Sequence, residues 1–326
     1  MRRILSAFAC LVAWTAGAAA QQPSGKLVVY TSQQPDVAQQ TVDAFKAKNP
    51  RVEVDWTRNG TGPLMNVLRA EITAGDVKPD VLFVADEINL GQLKFEKRLL
   101  AYPEANTAVY NKVFHDPEKF YFGTKVVATG IAYNTRAAKK PTSWWDLTKP
   151  EVKGQVAVPS PLFSGAALAV LHAFLEAPGL GWDYYRALSK NGVVPQGGNG
   201  PALNAVSGGR ALYGIIADGD VFRAKSEGSP VDLAYPVEGV SFITEPVGIM
   251  STARNIPAAK AFIDFLISKE GQELVAKQGN LAIHPDVASP PGFPKLSEIK
   301  LLPLDANKAI TGDTEVKKTY TSIFGG

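Results

Sequence analysis

The stretch with the clearest chemical potential is a loop that leads into a helix-forming segment at Ser164, Gly165 and Ala166. Ser164 is a favourable N-cap residue, and the two residues after it place no bulky side chain in front of their backbone N–H groups. The first turn of a helix has unpaired N–H donors and the positive end of the helix dipole, and both favour an anion. We predict that these three residues bind an anion, with helix capping alone as the alternative.

Three other segments place polar groups where a loop leads into a helix-forming run. Each precedes a proline, which fits the start of a helix because its missing N–H is one that the helix would leave unpaired. We predict that these segments add hydrogen-bond donors to the same site, although each also fits ordinary turn chemistry. They are Thr31, Ser32 and Gln33, then Thr61 and Gly62, and then Asn199 and Gly200.

Five acidic residues could contact a ligand: four stand close to predicted strand ends and helix starts, and Glu245 lies within the β-rich run 240–250. They are Asp86, Glu87, Asp218, Asp220 and Glu245. Carboxylates pair with ammonium groups and ligate hard cations, so we include all five among the candidate ligand-binding residues. The alternative for each is a turn-forming or helix-capping acid.

The residues give little support for catalysis. The three histidines are scattered and lack the spacing of a metal site. Leu162 stands two residues before Ser164, where the nucleophile elbow of a serine hydrolase has glycine. We therefore expect a protein that is not an enzyme and has no cofactor and no resident metal. A secreted hydrolase with Ser164 as nucleophile is the distant alternative.

The elements that position these residues alternate between strands and helices. Strand-like runs at 26–30, 52–56 and 80–84 are separated by helix-forming runs, an order that predicts a parallel sheet with right-handed crossovers. Ligands bind beyond the carboxyl ends of such strands. This places Thr31 to Gln33, Thr61 and Asp86 around one binding site at the strand ends. A second α/β unit places Ser164 and Asp218 around the ends of its own strands.

Two long β-rich runs, at 122–134 and 240–250, are suited to cross between these two units. The predicted fold class is α/β, with two lobes that each have a mostly parallel sheet flanked by helices. The predicted domains are a first lobe, 21–127 plus 248–290, and a second lobe, 128–247 plus 291–326. A chain of 326 residues is long enough for two such lobes.

The first 20 residues have the features of a secretory signal peptide. Arg2 and Arg3 precede a short apolar run and then small residues, with a cleavage site expected before Gln21. Cys10, the only cysteine, lies within this segment. Without the two arginines the formal net charge falls from +3 to +1, which gives no reason to expect binding to nucleic acid. We predict an exported protein that is soluble when mature.

Assembled in this order, the chain resembles the periplasmic substrate-binding proteins of ABC importers. It is most similar to the branch of the ferric-ion-binding proteins and their phosphonate- and sugar-phosphate-binding relatives. The resemblance implies the type II two-lobed fold, a periplasmic monomer, and an inner-membrane ABC permease as partner. The segments that carry it are 28–33, 80–83, 134–135, 164–166, 199–200 and, most specifically, 262–272.

The chain departs from the ferric-binding pattern at the metal ligands. The resemblance implies a His or acid in the first loop and adjacent tyrosines after a strand of the second lobe, where this chain has Gln34 and Gly219-Asp220. Ferric iron prefers phenolate and carboxylate oxygens, so a large part of such a site is lost. The segment that corresponds to the family's synergistic-anion site, Ser164 to Ala166 with Asn199, is retained.

The retained anion site predicts a receptor for a small anionic solute. The candidates are an organophosphonate such as 2-aminoethylphosphonate, whose ammonium group would use the carboxylates, and a phosphate ester. The alternative is a ferric-ion receptor that uses a synergistic anion together with carboxylates. Those carboxylates would be Asp86, Glu87, Asp218 and Asp220.

Overall fold

The computed structural model describes residues 22–295 and 298–325. The predicted signal peptide and its cleavage site before Gln21 lie outside the described residues. Over the described ranges, none of the helices combines the length and the apolar character that crossing a bilayer requires.

The described chain alternates between strands and helices, as the sequence predicts. The strands are β1 (Gly25–Thr31), β2 (Val52–Arg58), β3 (Val81–Phe83), β4 (Leu99–Leu100), β5 (Tyr121–Asn134), β6 (Val156–Ala157), β7 (Tyr213–Ala217), β8 (Val231–Ala234), β9 (Ser241–Met250) and β10 (Leu281–Ala282). The α-helices are α1 (Pro35–Lys48), α2 (Thr61–Ala74), α3 (Glu87–Phe95), α4 (Gly165–Glu176), α5 (Gly181–Lys190), α6 (Asn199–Ser207), α7 (Asp218–Ser226), α8 (Ile256–Leu266), α9 (Lys269–Lys277) and α10 (Ala306–Phe324).

The strands form one continuous sheet in the order β2-β1-β3-β9-β5-β7-β6. β1 pairs in parallel with β2 and β3, and β6 pairs in parallel with β7, as expected for two α/β units. The long strands β5 and β9 pair with each other in antiparallel fashion at the centre and connect the two units. The predicted fold class, α/β of the two-lobed type, is confirmed.

Two large hydrophobic cores lie on either side of this central pair. The first contains Phe45 and Phe262, whose rings meet edge to face with centroids 5.1 Å apart, and we call the residues around it the first lobe. The second contains Trp144, Phe174 and Tyr184, and we call the residues around it the second lobe. The predicted residue boundaries of the two lobes stay a prediction.

A small apolar cluster joins the lobes on one side of the cleft. Ile88 on α3, Leu168 on α4 and Ala309 on α10 pack together, so the C-terminal helix contacts both lobes. Asp313 on α10 accepts a hydrogen bond from Gln92 Nε2 of α3 at 3.2 Å. These contacts hold the lobes close together beside the site described next.

Candidate functional site

A small cavity lies between the lobes at the carboxyl ends of β1, β3 and β7. Its volume is about 80 Å³, and we call it the cleft cavity. Six of the fifteen predicted ligand-binding residues line it, two from the predicted first lobe and four from the predicted second lobe. They are Ser32, Gln33, Ala166, Asn199, Asp220 and Glu245.

Three helices of the second lobe begin at the cleft cavity. Ser164 caps α4 as predicted, because its Oγ accepts the N–H of Ala167 at 3.3 Å. Within the described part of the chain, the N–H groups of Gly165 and Ala166 donate to no protein acceptor. Asn199 begins α6, and its Oδ1 accepts the N–H of Ala217, the residue that precedes α7. The positive ends of three helix dipoles therefore converge on one small space.

Four other predicted residues lie at a contact between the lobes, beside the cleft cavity. The N–H of Gly62 donates to the carbonyl oxygen of Phe163 across the cleft at 3.1 Å. A Cβ on Gly165 would come within 3.0 Å of Asp86 Oδ2 and Thr61 Oγ1, so glycine is required for this close approach. The lobes thus meet through nearly bare backbone next to the cavity.

The carboxyl group of Asp86 is fully buried at this contact. It caps α3, since Oδ1 accepts the N–H of Asn89 at 2.8 Å and the side-chain amide at 2.9 Å. Burial raises the pKa of Asp86. Burial, with a contribution from Asp86, also raises the pKa of the neighbouring Glu87 to about 7. In this arrangement the start of α4 lies against an acidic side chain of the first lobe.

A buried ion pair forms part of the cavity wall and joins the two central strands. Lys125 on β5 and Glu245 on β9 are 8% and 4% exposed, with Nζ and Oε2 2.8 Å apart. Gln33 Nε2 donates to the same carboxylate at 3.1 Å. Sequence reasoning missed Lys125, although a single lysine in an otherwise uncharged strand was a signal. The pairing of β5 with β9 shifts register between Gly123 and Val126, around this lysine.

A second ion pair lies at the start of α7. Arg223 and Asp220 are 3.0 Å apart, and both line the cleft cavity. Burial raises the pKa of Asp220, while the nearby cations Arg223 and Lys125 oppose that shift. The cavity wall therefore contains two cations and two carboxylates, with balanced charge.

Arg58 supports the first-lobe side of this site. Its Nε donates to the carbonyl oxygen of Gln33 at 2.8 Å, and its terminal nitrogen lies 3.4 Å from Gln34 Oε1. Burial lowers the pKa of Arg58, and the nearby carboxylate of Asp220 opposes this shift. Sequence reasoning missed this contribution, because Arg58 lies at the exposed-looking end of β2.

The remaining predicted residues shape the loops around the cavity. Thr31 Oγ1 accepts the N–H of Gln33 at 3.2 Å and thereby orders the first loop. Gly200 lies next to the side chain of Gln34, across the cleft. Asp218 is buried behind the cavity wall, where its carboxylate accepts the N–H of Gly219 at 2.8 Å and the hydroxyl of Tyr235 at 3.2 Å.

The buried carboxyl of Asp218 predicts a pH dependence of stability. Burial raises its pKa in the folded protein to about 7, well above its value of about 3.9 in an unfolded chain. The folded state therefore holds the proton more tightly, and the free energy of unfolding falls as the pH rises from about 4 to about 7. Asp218→Asn stays neutral and retains an acceptor oxygen, so this part of the decline will be absent.

Urea unfolding of both proteins at pH 5 and pH 8 measures this effect. We expect the variant to gain stability relative to wild type at pH 8, by up to about 1.4 kcal/mol for each unit of pKa shift. Glu87 titrates in the same direction in both proteins, so part of the decline will persist in the variant. Parallel stability curves for the two proteins would contradict the raised pKa of Asp218.

The carboxylates do not gather into a metal-binding cluster. Among the residues that the structure describes, no group of three or more His, Cys, Asp or Glu side chains is placed to hold a metal ion. Of the four acids in the ferric alternative, Asp220 lines the cleft cavity, whereas Asp86 and Asp218 serve as buried acceptors for backbone N–H groups.

Comparison with known proteins gives the chain a family and a set of relatives. The model of the family described as bacterial extracellular solute-binding protein matches residues 27–280. An uncharacterized protein of Haemophilus influenzae is 30% identical over 95% of this chain and 92% of its own length. The Fe(3+)-binding periplasmic protein of Serratia marcescens is 26% identical over 89% of this chain and 88% of its own length.

A solved structure adds a relative with a bound ligand. The periplasmic binding protein AfuA from Actinobacillus pleuropneumoniae, with exogenous fructose-6-phosphate bound, superimposes with a TM-score of 0.85. It is 25% identical, and the match covers 92% of this chain and 98% of that protein. The two-lobed architecture is therefore shared over nearly the whole length of both proteins.

Proposed function

Because the chain belongs to the bacterial extracellular solute-binding protein family, we propose that its cleft cavity captures a small organophosphonate or phosphate ester for an ABC importer. The family consists of extracellular solute-binding proteins, and the Serratia and Actinobacillus relatives are periplasmic. In this proposal the mature protein is a periplasmic monomer that binds 2-aminoethylphosphonate or a similar solute without chemical turnover. An inner-membrane permease is the partner.

The convergence of helix starts and cations on one cavity carries this proposal. Ala166, Asn199 and Gly219 bring the starts of α4, α6 and α7 to the wall that also contains Lys125 and Arg223. Unpaired backbone N–H groups at helix starts are well suited to phosphate and phosphonate oxygens. The bound fructose-6-phosphate of the AfuA relative also favours a solute with a phosphorus oxyacid.

The balanced charge of the wall favours a zwitterionic solute over a simple dianion. The phosphonate of 2-aminoethylphosphonate would form an ion pair with Lys125 or Arg223. Its ammonium group would then form an ion pair with the carboxylate that this cation releases, Glu245 or Asp220. A dianion would satisfy the cations but leave Asp220 and Glu245 without partners in a buried site, which is costly. The exchange with a zwitterion keeps every buried charge paired.

Ferric iron with a synergistic anion is the second candidate. It is favoured by the Serratia relative and by the two carboxylates, Asp220 and Glu245, in the cavity wall. Iron would have to displace Arg223 and Lys125 from these carboxylates, and no tyrosine lines the cavity among the described residues. We therefore place the phosphonate or phosphate ester first.

A ligand panel on protein freed of bound solute tests the proposal. We expect 2-aminoethylphosphonate to raise the midpoint of thermal unfolding by about 5–10 °C at a thousandfold excess over Kd, because it binds only the folded state. Titration calorimetry then gives Kd for this compound, inorganic phosphate and phosphate esters. Ethylamine, which has the ammonium group alone, is the matched control and is expected to have no effect.

Two outcomes would contradict the proposal. A coloured purified protein that responds to ferric citrate and not to any phosphonate or phosphate ester would support the iron receptor instead. A response to ethylamine equal to that of 2-aminoethylphosphonate would show that the cavity selects the amine and not the anion.

A further inference from the structure

A second and larger space lies directly outside the cleft cavity. It has a volume of about 520 Å³ and lies between α1 of the first lobe, α7 of the second lobe and the segment after β10. We call it the outer groove. Val37 and Arg223 line both spaces, so the outer groove begins where the cleft cavity ends.

The outer groove has an aromatic wall. The rings of Phe222 on α7 and Phe293 in the segment after β10 pack with their centroids 4.4 Å apart. Pro290 and Pro291 add apolar surface beside these rings. Both phenylalanines are partly exposed, so the rings remain available to a molecule in the groove.

The charges of the outer groove are balanced, as they are in the wall of the cleft cavity, but the groove has an aromatic wall that the cavity lacks among the residues the structure describes. Two acids, Asp36 and Glu227, face two bases, Arg223 and Lys277. No excess of either sign selects a second charged group. The chemistry of the wall suits an uncharged aromatic or apolar group.

The two volumes decide how a solute would divide between these spaces. Sites for small molecules usually have volumes of about 300–1,000 Å³, and a water molecule takes up about 30 Å³. The cleft cavity, at about 80 Å³, has room for little more than an anionic head group. The outer groove, at about 520 Å³, is large enough for an organic substituent.

We propose that the outer groove is a second subsite, which binds the uncharged aromatic or apolar substituent of a phosphonate or phosphate ester. The anionic head of that solute occupies the cleft cavity, so the inference rests on the proposed function. Arg223 forms the boundary between the two spaces and contacts the head from one side and the substituent from the other. Solutes with a long apolar tail are then better ligands than the head group alone.

Two probes with one head group test this subsite. Titration calorimetry compares 2-aminoethylphosphonate with 2-amino-5-phenylpentylphosphonate, which share one aminoethylphosphonate head and differ only in the phenylpropyl tail. We expect the wild-type protein to bind the phenylpropyl compound about 10- to 30-fold more tightly, because the ring is buried against Phe222 and Phe293. Phe293→Ala removes most of this gain and leaves the Kd for 2-aminoethylphosphonate within about twofold of wild type.

Two further variants make the test specific. Phe222→Ala removes the other ring and is expected to give the same loss, which guards against a folding defect in one variant. Phe95→Ala removes a phenylalanine that is 85% exposed on α3, away from the groove, and is expected to change neither Kd. These controls separate the aromatic wall from any general effect of losing a ring.

The outcomes separate this inference from the proposed function. Equal affinity of the two probes for the wild-type protein would overturn the subsite and leave the proposed function intact. An equal loss for both probes in Phe293→Ala would also overturn it, because the ring contact would then act only on lobe closure. Failure of every phosphonate and phosphate ester to bind would overturn the proposed function itself.

Discussion

Lys125→Met is expected to lower the free energy of unfolding by about 3–5 kcal/mol and to abolish binding of the anionic solute. The reason is the burial of its partner: Glu245 is 4% exposed and would keep only the hydrogen bond from Gln33. Removing one member of a buried ion pair leaves the other charge desolvated and uncompensated. Loss of the ammonium group also removes a cation from the wall of the cleft cavity.

A double variant separates the two effects. Lys125→Met combined with Glu245→Gln has no buried unpaired charge, and Gln33 still has an acceptor at position 245. We expect urea unfolding to place the double variant within about 1 kcal/mol of wild type, while calorimetry detects no binding. A double variant that binds 2-aminoethylphosphonate like wild type would contradict the role of Lys125.

An exposed ion pair provides the matched control. Lys26 and Asp55 are 3.0 Å apart, with both side chains 56% exposed. Exposed pairs contribute little to stability because water and salt screen them. We expect Lys26→Met to leave both the unfolding midpoint and solute affinity unchanged. A loss of stability in Lys125→Met no larger than in Lys26→Met would mean that burial of the central pair has no energetic consequence.

The starts of individual helices were predictable from the sequence because they depend on residues that are close together in the chain. Ser164 caps α4 and Pro35 begins α1, in agreement with the preferences of serine and proline at those positions. The alternation of short apolar runs with helix-forming runs likewise predicted the parallel pairing of β1 with β2 and β3. Asp86, which caps α3 through Asn89, had the same kind of local signal, since the two residues are three positions apart.

Contacts between the lobes were not predictable in the same way. Gly165 was predicted to contact an anion, and the structure places it against Asp86 and Thr61 of the first lobe. That approach depends on how far the lobes close, which no local pattern encodes. The C-terminal helix was assigned to the second lobe, and Tyr320 does pack in the second core, whereas Asp313 contacts Gln92 of the first lobe.

The face of β5 from which the Lys125 side chain projects was unpredictable for a different reason. Side chains alternate between the two faces of a strand, so a register shift changes which face a residue occupies. The shift between Gly123 and Val126 lies near the start of β5, where Gly123 is only a weak sequence signal for a bulge. The lone lysine in this strand therefore indicated that it needs a partner of opposite charge. It did not indicate that the side chain lines the cleft cavity.

Closure of the lobes is itself testable at Gly62, where we expect one added methyl group to weaken solute binding about 5- to 150-fold. A Cβ at this position would come closer than 3.0 Å to the carbonyl oxygen of Leu162, which belongs to the second lobe. Backbone atoms cannot move aside like the end of a flexible side chain, so Gly62→Ala favours separation of the lobes. Overpacking of this kind typically costs about 1–3 kcal/mol, which corresponds to the stated loss of affinity.

A second glycine-to-alanine change in a helix is the control for Gly62→Ala. Gly312 lies in α10, and a Cβ there would meet no atom within 4 Å, so Gly312→Ala is expected to keep wild-type affinity. Both variants should unfold at or slightly above the wild-type temperature, because alanine favours the helix and restricts the unfolded chain. Small-angle X-ray scattering in the presence of solute should give a larger radius of gyration for Gly62→Ala alone. A Gly62→Ala protein that closes and binds like Gly312→Ala would mean that the contact between Gly62 and Leu162 does not limit closure.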